Sequence, residues 1–272
     1  MEMYTDSVIA FSGVNKGGLG LLYNGEVRWA EGISASGIYA DRDVFIRCYQ
    51  DSSIINLIHR DGSRLTLAYE DLWDLHDVMV IGDFLYVVAT LTNEVAVISL
   101  KNGDILNRKI YPGEPDSWHL NCLDVWDGQL VVSCFGSFNK HREYTQKSAG
   151  QGFVMEVWSS KILWEGLSQP HCPKHYGGAY YVCDSQFGRL LVRIGGEEIA
   201  ADLGEYPRGL LWHNHSLYCG LSVPRSASAE TGTIVQLNPR TLEARERFTI
   251  PFPEVYNIIS LPSYFAKMLK WI

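Results

Sequence analysis

His76 and His171, together with Arg208 and Tyr256, are the residues of this chain whose types could do chemistry in concert. Histidine titrates near neutral pH, arginine offers a planar fork of donors suited to a carboxylate or phosphate, and a phenol both donates and accepts hydrogen bonds. Gathered in one place, two imidazoles could take a proton from a substrate whose anionic group Arg208 holds, and one of them or Tyr256 could return it. The four lie far apart in sequence, so only a repeated architecture could bring them together.

Such a repeat is present. Six segments open on a polar side chain and continue into a short apolar run: Ser36-Gly37-Ile38, His76-Asp77-Val78, Asn121-Cys122-Leu123, His171-Cys172-Pro173, Arg208-Gly209-Leu210 and Tyr256-Asn257-Ile258. The openings are 40, 45, 50, 37 and 48 residues apart, a period that fits propeller blades and is too long for leucine-rich repeats. Turn residues and a second apolar run follow each of the first five, as in Asp127-Gly128 before Gln129-Leu130-Val131-Val132. The reading is an all-β, six-bladed β-propeller forming one domain over residues 1–272. Blades run over about 36–68, 76–107, 121–164, 171–203 and 208–248. The sixth is split: residues 256–261 supply its opening strand, and the N-terminal runs at 7–11, 18–22 and 26–29 supply the other three. Joining the chain ends in one blade removes open sheet edges. The tail, 261–272, reads as a short amphipathic helix packed on the barrel rather than a membrane anchor.

First strands of propeller blades line the central channel, so the register collects Ser36, His76, Asn121, His171, Arg208 and Tyr256 in one ring, with His119 hanging above its mouth. Three chemistries compete there. His76 and His171 could be an acid/base pair, with Tyr256 as a further proton donor. His76, His171 and His119 could instead hold a divalent metal ion such as zinc, iron or manganese. Or the ring is a hydrogen-bonded polar plug. Convergence of several polar types at one register favours a ligand site. Asn121, Ser36 and His119 would bind substrate beside Arg208. Asp77 and Asp184 are candidates to orient the imidazoles, although a strand-end cap is the simpler role for each. His175, His213 and His215 fall in or near turns and read as solvated.

Two long loops, Ser137 to Gln151 and Ser222 to Gly232, sit between the second and third strands of their blades and so lie on the face of the ring. Their cations, including Arg142 and Arg225, would suit an anionic ligand. The glycine runs at 17–20 and 150–152 precede no helix and are not phosphate cradles.

A formal net charge of −8 excludes general nucleic-acid binding, which needs a basic face. No apolar stretch is long enough to span a membrane, and the acidic start Met1-Glu2-Met3-Tyr4-Thr5-Asp6 is no signal peptide. Six cysteines without paired spacing, mostly within predicted strands, fit buried thiols in a reducing cytoplasm. The function that follows is proton-transfer chemistry, lyase or isomerase in type, on a small anionic or sugar-derived substrate. A propeller that binds a glycan or partner protein without catalysis is the alternative.

The pieces His76-Asp77-Val78, Trp118-His119-Leu120-Asn121, Gly166-Leu167-Ser168-Gln169-Pro170-His171, Asp184-Ser185, Pro207-Arg208-Gly209-Leu210 and Gly220-Leu221-Ser222 together resemble an uncharacterised bacterial propeller family, domain of unknown function 4915. The resemblance implies a compact propeller, often encoded near surface-glycan or specialised-metabolite genes, and no established reaction. His171-Cys172-Pro173 stands where the family usually has His-Ser-Pro, and Tyr256-Asn257 where it has Tyr-Asp.

Overall fold

Runs of β-branched and aromatic residues cut by Gly, Asn and Asp turns make short strands. In the computed structural model, which describes residues 7–223 and 230–272, twenty-four of them form. The N-terminal three are β1 (Ser7–Ser12), β2 (Leu19–Tyr23) and β3 (Glu26–Glu31). Blade one is β4 (Ile38–Ala40), β5 (Val44–Cys48), β6 (Ile54–His59) and β7 (Arg64–Ala68). Blade two is β8 (Leu75–Ile81), β9 (Phe84–Ala89), β10 (Glu94–Ser99) and β11 (Ile105–Ile110). Blade three is β12 (Leu120–Trp126), β13 (Gln129–Cys134), β14 (Gly152–Glu156) and β15 (Ile162–Leu167), with helix α1 (Tyr144–Lys147) in its long loop. Blade four is β16 (Pro170–Tyr176), β17 (Ala179–Asp184), β18 (Arg189–Ile194) and β19 (Glu197–Asp202). Blade five is β20 (Tyr206–His213), β21 (Ser216–Ser222), β22 (Thr233–Leu237) and β23 (Ala244–Thr249), followed by β24 (Asn257–Pro262) and helix α2 (Ser263–Met268). Tight hairpins join the strands. At Asp127-Gly128 both residues have positive φ (50° and 79°), the pairing a two-residue type I′ turn requires.

Each blade is a four-stranded antiparallel meander, and the sixth has the order β24-β1-β2-β3. Its closure is as the sequence reading has it, with Asn257 opposite Ser12 and Ser260 opposite Ile9. First strands of neighbouring blades pack on one another around the axis, β4 on β8, β8 on β12, and so on to β24 on β4. The result is a six-bladed propeller.

The apolar core is divided among the seams. Five of six clusters of buried residues each join two adjacent blades, from Val8, Phe45 and Phe265 between blades six and one to Ile9, Leu211 and Phe252 between five and six, and the sixth, with Cys122, Cys172 and Leu210, reaches from blade three to blade five. Helix α2 belongs to the first of these: Phe265 and Ala266 are fully buried, and Phe45 packs on both Phe265 and Trp271. A polar tie recurs above the clusters. A hydroxyl at the end of a blade's second strand donates to the carbonyl at the start of the next blade's first strand: Ser12 to Ser36, Thr90 to Leu120, Ser185 to Pro207 and Ser222 to Val255. Each tie contributes about 1 kcal/mol, whereas every seam buries seven or more apolar side chains at about 1.5–3 kcal/mol for a large aliphatic or Phe. Burial therefore holds the blades together, and the hydroxyls set their register.

Deeper in the channel, one residue beyond the polar openings, a second ring closes. Asp77 Oδ2 accepts from Leu123 N (2.8 Å), Cys172 Sγ accepts from Gly209 N (3.1 Å), and Asn257 Nδ2 donates to Ile38 O and to Asp77 Oδ1. Burial pushes the Asp77 carboxyl up to about 6, against the Lys174 charge and the Leu123 and Val78 amides. A carboxyl with a raised folded-state pKa adds stability below its unfolded pKa and loses it as pH rises through the folded value. In paired thermal melts Asp77→Asn should therefore gain on the wild type as pH rises from about 4 to about 7. A difference that stays constant would show that Asp77 titrates normally.

Candidate functional site

A cavity of about 590 Å³ opens at the face where the first strands begin, and residues from all six blades line it. Its position follows from local irregularity. In β8, β12, β16 and β20 the pairing with the second strand slips at the polar opening, between Leu75 and Asp77, Leu120 and Leu123, His171 and Lys174, and Arg208 and Leu210. A bulge of this kind re-aims side chains that strict alternation would turn away. His76, Asn121, His171 and Arg208 reach the cavity this way, and Tyr256 enters just before β24.

The three lining histidines share one arrangement. His76 Nδ1 lies 3.0 Å from the Asp74 carbonyl and 3.3 Å from its carboxylate. His119 Nδ1 lies 2.7 Å from Asp116 Oδ1. His171 Nδ1 lies 3.0 Å from the Gln169 carbonyl and 2.8 Å from Ser185 Oγ, whose own proton goes to Pro207 O. Every such partner accepts, so Nδ1 of each ring donates. Among the described residues no hydrogen bond engages Nε2 of any of the three. Burial lowers the His76 pKa against the Asp74 charge, and burial followed by the Arg208 charge lowers that of His171 well below 6.5. Both rings are neutral bases at neutral pH. His76 meets His119 and Tyr256 edge to face, with ring centroids 5.1 and 5.6 Å apart.

Tyr256 donates to Asn121 Oδ1 at 3.3 Å, and burial raises its pKa well above 10, so it retains its proton. Arg208 is no bare anion clamp: Nη1 donates to Glu254 Oε2 at 2.8 Å, and the guanidinium lies over the Tyr206 ring at 4.6 Å. Arg142 lies at the rim, 3.6 Å from Asp116. Among the described residues, four lining carboxylates (Asp51, Asp74, Asp116, Glu254) stand beside these two guanidiniums.

Other expectations need correction. Ser36 does not line the cavity; it is fully buried, with Oγ bonded to the Leu75 carbonyl in the seam between blades one and two. The reason is that β4 begins only at Ile38, which leaves Ser36 in the connection beside that seam. Arg225 lies outside the described residues. Asp77 and Asp184 orient no imidazole: the first ties the channel ring, and the second accepts from Ser168 N and Arg189 Nε. The histidines do not fit a three-ligand metal site. Among the described residues no three His, Cys, Asp or Glu side chains group to hold an ion, and the Phe135 ring packs against both His119 (4.3 Å) and His171 (5.3 Å).

Sequence reasoning missed Asp74, Asp116, Tyr144, Tyr206 and Glu254. Asp74 and Asp116 stand two and three residues ahead of His76 and His119, and that spacing was the available signal. Asp116 is the hub: it accepts from His119, from Tyr144 OH at 2.8 Å and pairs with Arg142. Although burial raises its pKa, His119 and Tyr144, with His76 beyond them, hold it below the usual range. Asp74, Asp116, His119, Arg142 and Gln169 all have φ between 49° and 57°, a conformation costly for non-glycine residues and typical of functional sites. Asp116→Ala should cost on the order of 3 kcal/mol in a urea unfolding series. An unchanged midpoint would mean that water replaces the carboxylate.

The family described as Domain of unknown function (DUF4915) matches residues 69–250, about two thirds of the chain. The chain belongs to this family. The match spans blades two to five and carries His76, His119, Asn121, His171 and Arg208, while Glu254 and Tyr256 lie beyond it. No curated protein matches the chain. Solved structures that are similar include a protein of unknown function from Bacteroides caccae (12% identity, 94% of this chain and 99% of that one, TM-score 0.67). A nidogen/laminin complex matches at 11% identity over 93% and 97% (TM-score 0.66). Virginiamycin B lyase from Staphylococcus aureus matches at 15% over 81% and 71% (TM-score 0.54). At such identities the likeness is one of fold. No helix among the described residues is long and apolar enough to cross a membrane.

Proposed function

We propose that the cavity is an active site for proton-transfer chemistry of lyase or isomerase type on a small, hydroxyl-rich, sugar-derived substrate. The observation that carries this is the pair His76 and His171, both neutral, both locked at Nδ1 and both lining one cavity. An imidazole held in this way is a competent general base. In this reading one of the two removes the substrate proton, and Tyr256, protonated and edge-on to His76, returns one. Asn121 and the Arg208–Glu254 pair orient hydroxyl groups. Four carboxylates beside two guanidiniums favour a neutral sugar derivative over a multiply charged anion. A histidine-to-alanine variant of virginiamycin B lyase is described as catalytically inactive, a precedent for histidine-dependent lyase chemistry on a propeller.

The test is proton NMR in D₂O with a panel of aldoses, ketoses, uronic acids and sugar lactones. Enzyme-dependent exchange or elimination at one carbon, absent from the His76→Ala/His171→Ala variant, is the expected result. Ligands that bind without exchange at any carbon would instead make this a non-catalytic glycan-binding module.

A further inference from the structure

Cys122 and Cys172 hold equivalent positions on the innermost strands of blades three and four, each one residue beyond a cavity residue, Asn121 or His171. Both are buried and free, and their sulfurs lie 3.7 Å apart. Cys172 differs from an ordinary packed thiol in two ways. Its sulfur accepts the Gly209 N–H at 3.1 Å, and its backbone sits at φ 45°, which turns it out of the ladder with β17. A sulfur that accepts an amide N–H and lies against a second thiol is suited to carry charge. The bond from Cys122 pulls the Cys172 thiol down against burial, with the Lys174 charge assisting, while the same bond and burial push Cys122 up. The protein has a second close pair, Cys183 and Cys219, at 4.0 Å. Among the described residues no backbone N–H is bonded to either of those sulfurs.

We propose that Cys122 and Cys172 form an oxidisable dithiol, in which Cys172 reacts with hydrogen peroxide and Cys122 resolves the product as a disulfide. The Cys172 thiolate attacks one peroxide oxygen, the O–O bond breaks, and the departing hydroxide takes a proton to become water. Cys172 is then a sulfenic acid. The Cys122 sulfur attacks it, an S–S bond forms, the S–O bond breaks, and hydroxide leaves as water with the Cys122 proton. Two thiols lose two electrons, and one peroxide is reduced to two waters. The oxidant, little larger than water, reaches the pair through the cavity, whose lining residues Asn121 and His171 are the cysteines' chain neighbours. Closing the sulfurs from 3.7 Å to a bond of about 2.05 Å draws β12 and β16 together directly beneath those two residues.

Reduced native protein would be treated with equimolar hydrogen peroxide, alkylated in denaturant and mapped as peptides without reduction. The expected result is one cross-link joining the Cys122 and Cys172 peptides, so that two of the six thiols escape alkylation. In Cys122→Ser the cross-link is replaced by a sulfenic acid on Cys172, captured by a cyclic diketone probe. Six alkylated thiols, or a cross-link at Cys183 and Cys219 alone, would overturn the proposal. The wild-type map decides by itself if the serine variant does not fold.

Discussion

Gly37→Ala is expected to prevent stable folding. An added β-carbon would sit 2.5 Å from Asp77 Cα and 2.9 Å from its carbonyl carbon, and these are backbone atoms of the next blade's innermost strand. No rotamer change relieves such a clash; blades one and two must separate. Separation opens a seam core that includes Ile46, Ile55, Leu85 and Val87, all fully buried, and breaks the channel ring at Asn257 and Asp77. The loss should exceed about 4 kcal/mol, in the range reached only by core or backbone disruption. Circular-dichroism melts beside Gly62→Ala give the check. Gly62 has a positive φ (87°) and nothing within 4 Å of its added carbon, so that variant should lose only about 1–2 kcal/mol. Equal melting temperatures for the two variants would refute the close approach of the blades.

In the proposed reaction, His171→Ala should lower turnover by about 10²–10⁴-fold, the usual contribution of a general base. Its melting temperature should also fall, because the ring is buried against Phe135 and Tyr206 and bonded to Gln169 O and Ser185 Oγ, so turnover is compared at a temperature where the variant is folded. The pH profile separates this base from an ordinary imidazole. Burial and the Arg208 charge hold His171 well below 6.5, so the lone pair is available until the solution is distinctly acidic. The acid limb of kcat/KM should therefore lie below 6.5. A limb above that value would assign the base to another group. Ser185→Ala removes one of the two acceptors that fix Nδ1–H, so it should give a smaller loss with the same limb.

What was legible in the sequence was whatever repeats. The polar opening of each blade, the hairpin turns and the apolar runs recur at blade spacing, and from them follow the six blades, the shared sixth blade and the meeting of His76, Asn121, His171, Arg208 and Tyr256 around one cavity. Side-chain direction at a blade's entrance was not legible, because it depends on bulges that shift the pairing locally. Ser36 shows this: it matches His76 in register, yet it turns into a seam where β4 starts late. The acids Asp74, Asp116 and Glu254 lie in connections that break the repeat, so no alignment of openings includes them. Asp74 and Asp116 take left-handed backbone, and Glu254 acts through Arg208, 46 residues away on the neighbouring blade, neither of which an alignment of openings records. The hydroxyls Ser12, Thr90, Ser185 and Ser222 do recur, at the ends of the second strands, and an alignment of those ends would have exposed them.

The shared blade also sets an order of events during synthesis. Of the strands described, β24 is made last, yet it is the inner partner of β1, which is made first among them. Until it is made, β1 has a bare inner edge and the barrel is an open arc, vulnerable to pairing with a neighbouring chain. Glu254 and Tyr256 arrive with the segment that carries β24, so the Arg208–Glu254 and Tyr256–Asn121 contacts form only once that segment has been made. A nascent chain can thus fold blade by blade before the lining of the cavity is complete. Competence begins when the ring snaps shut.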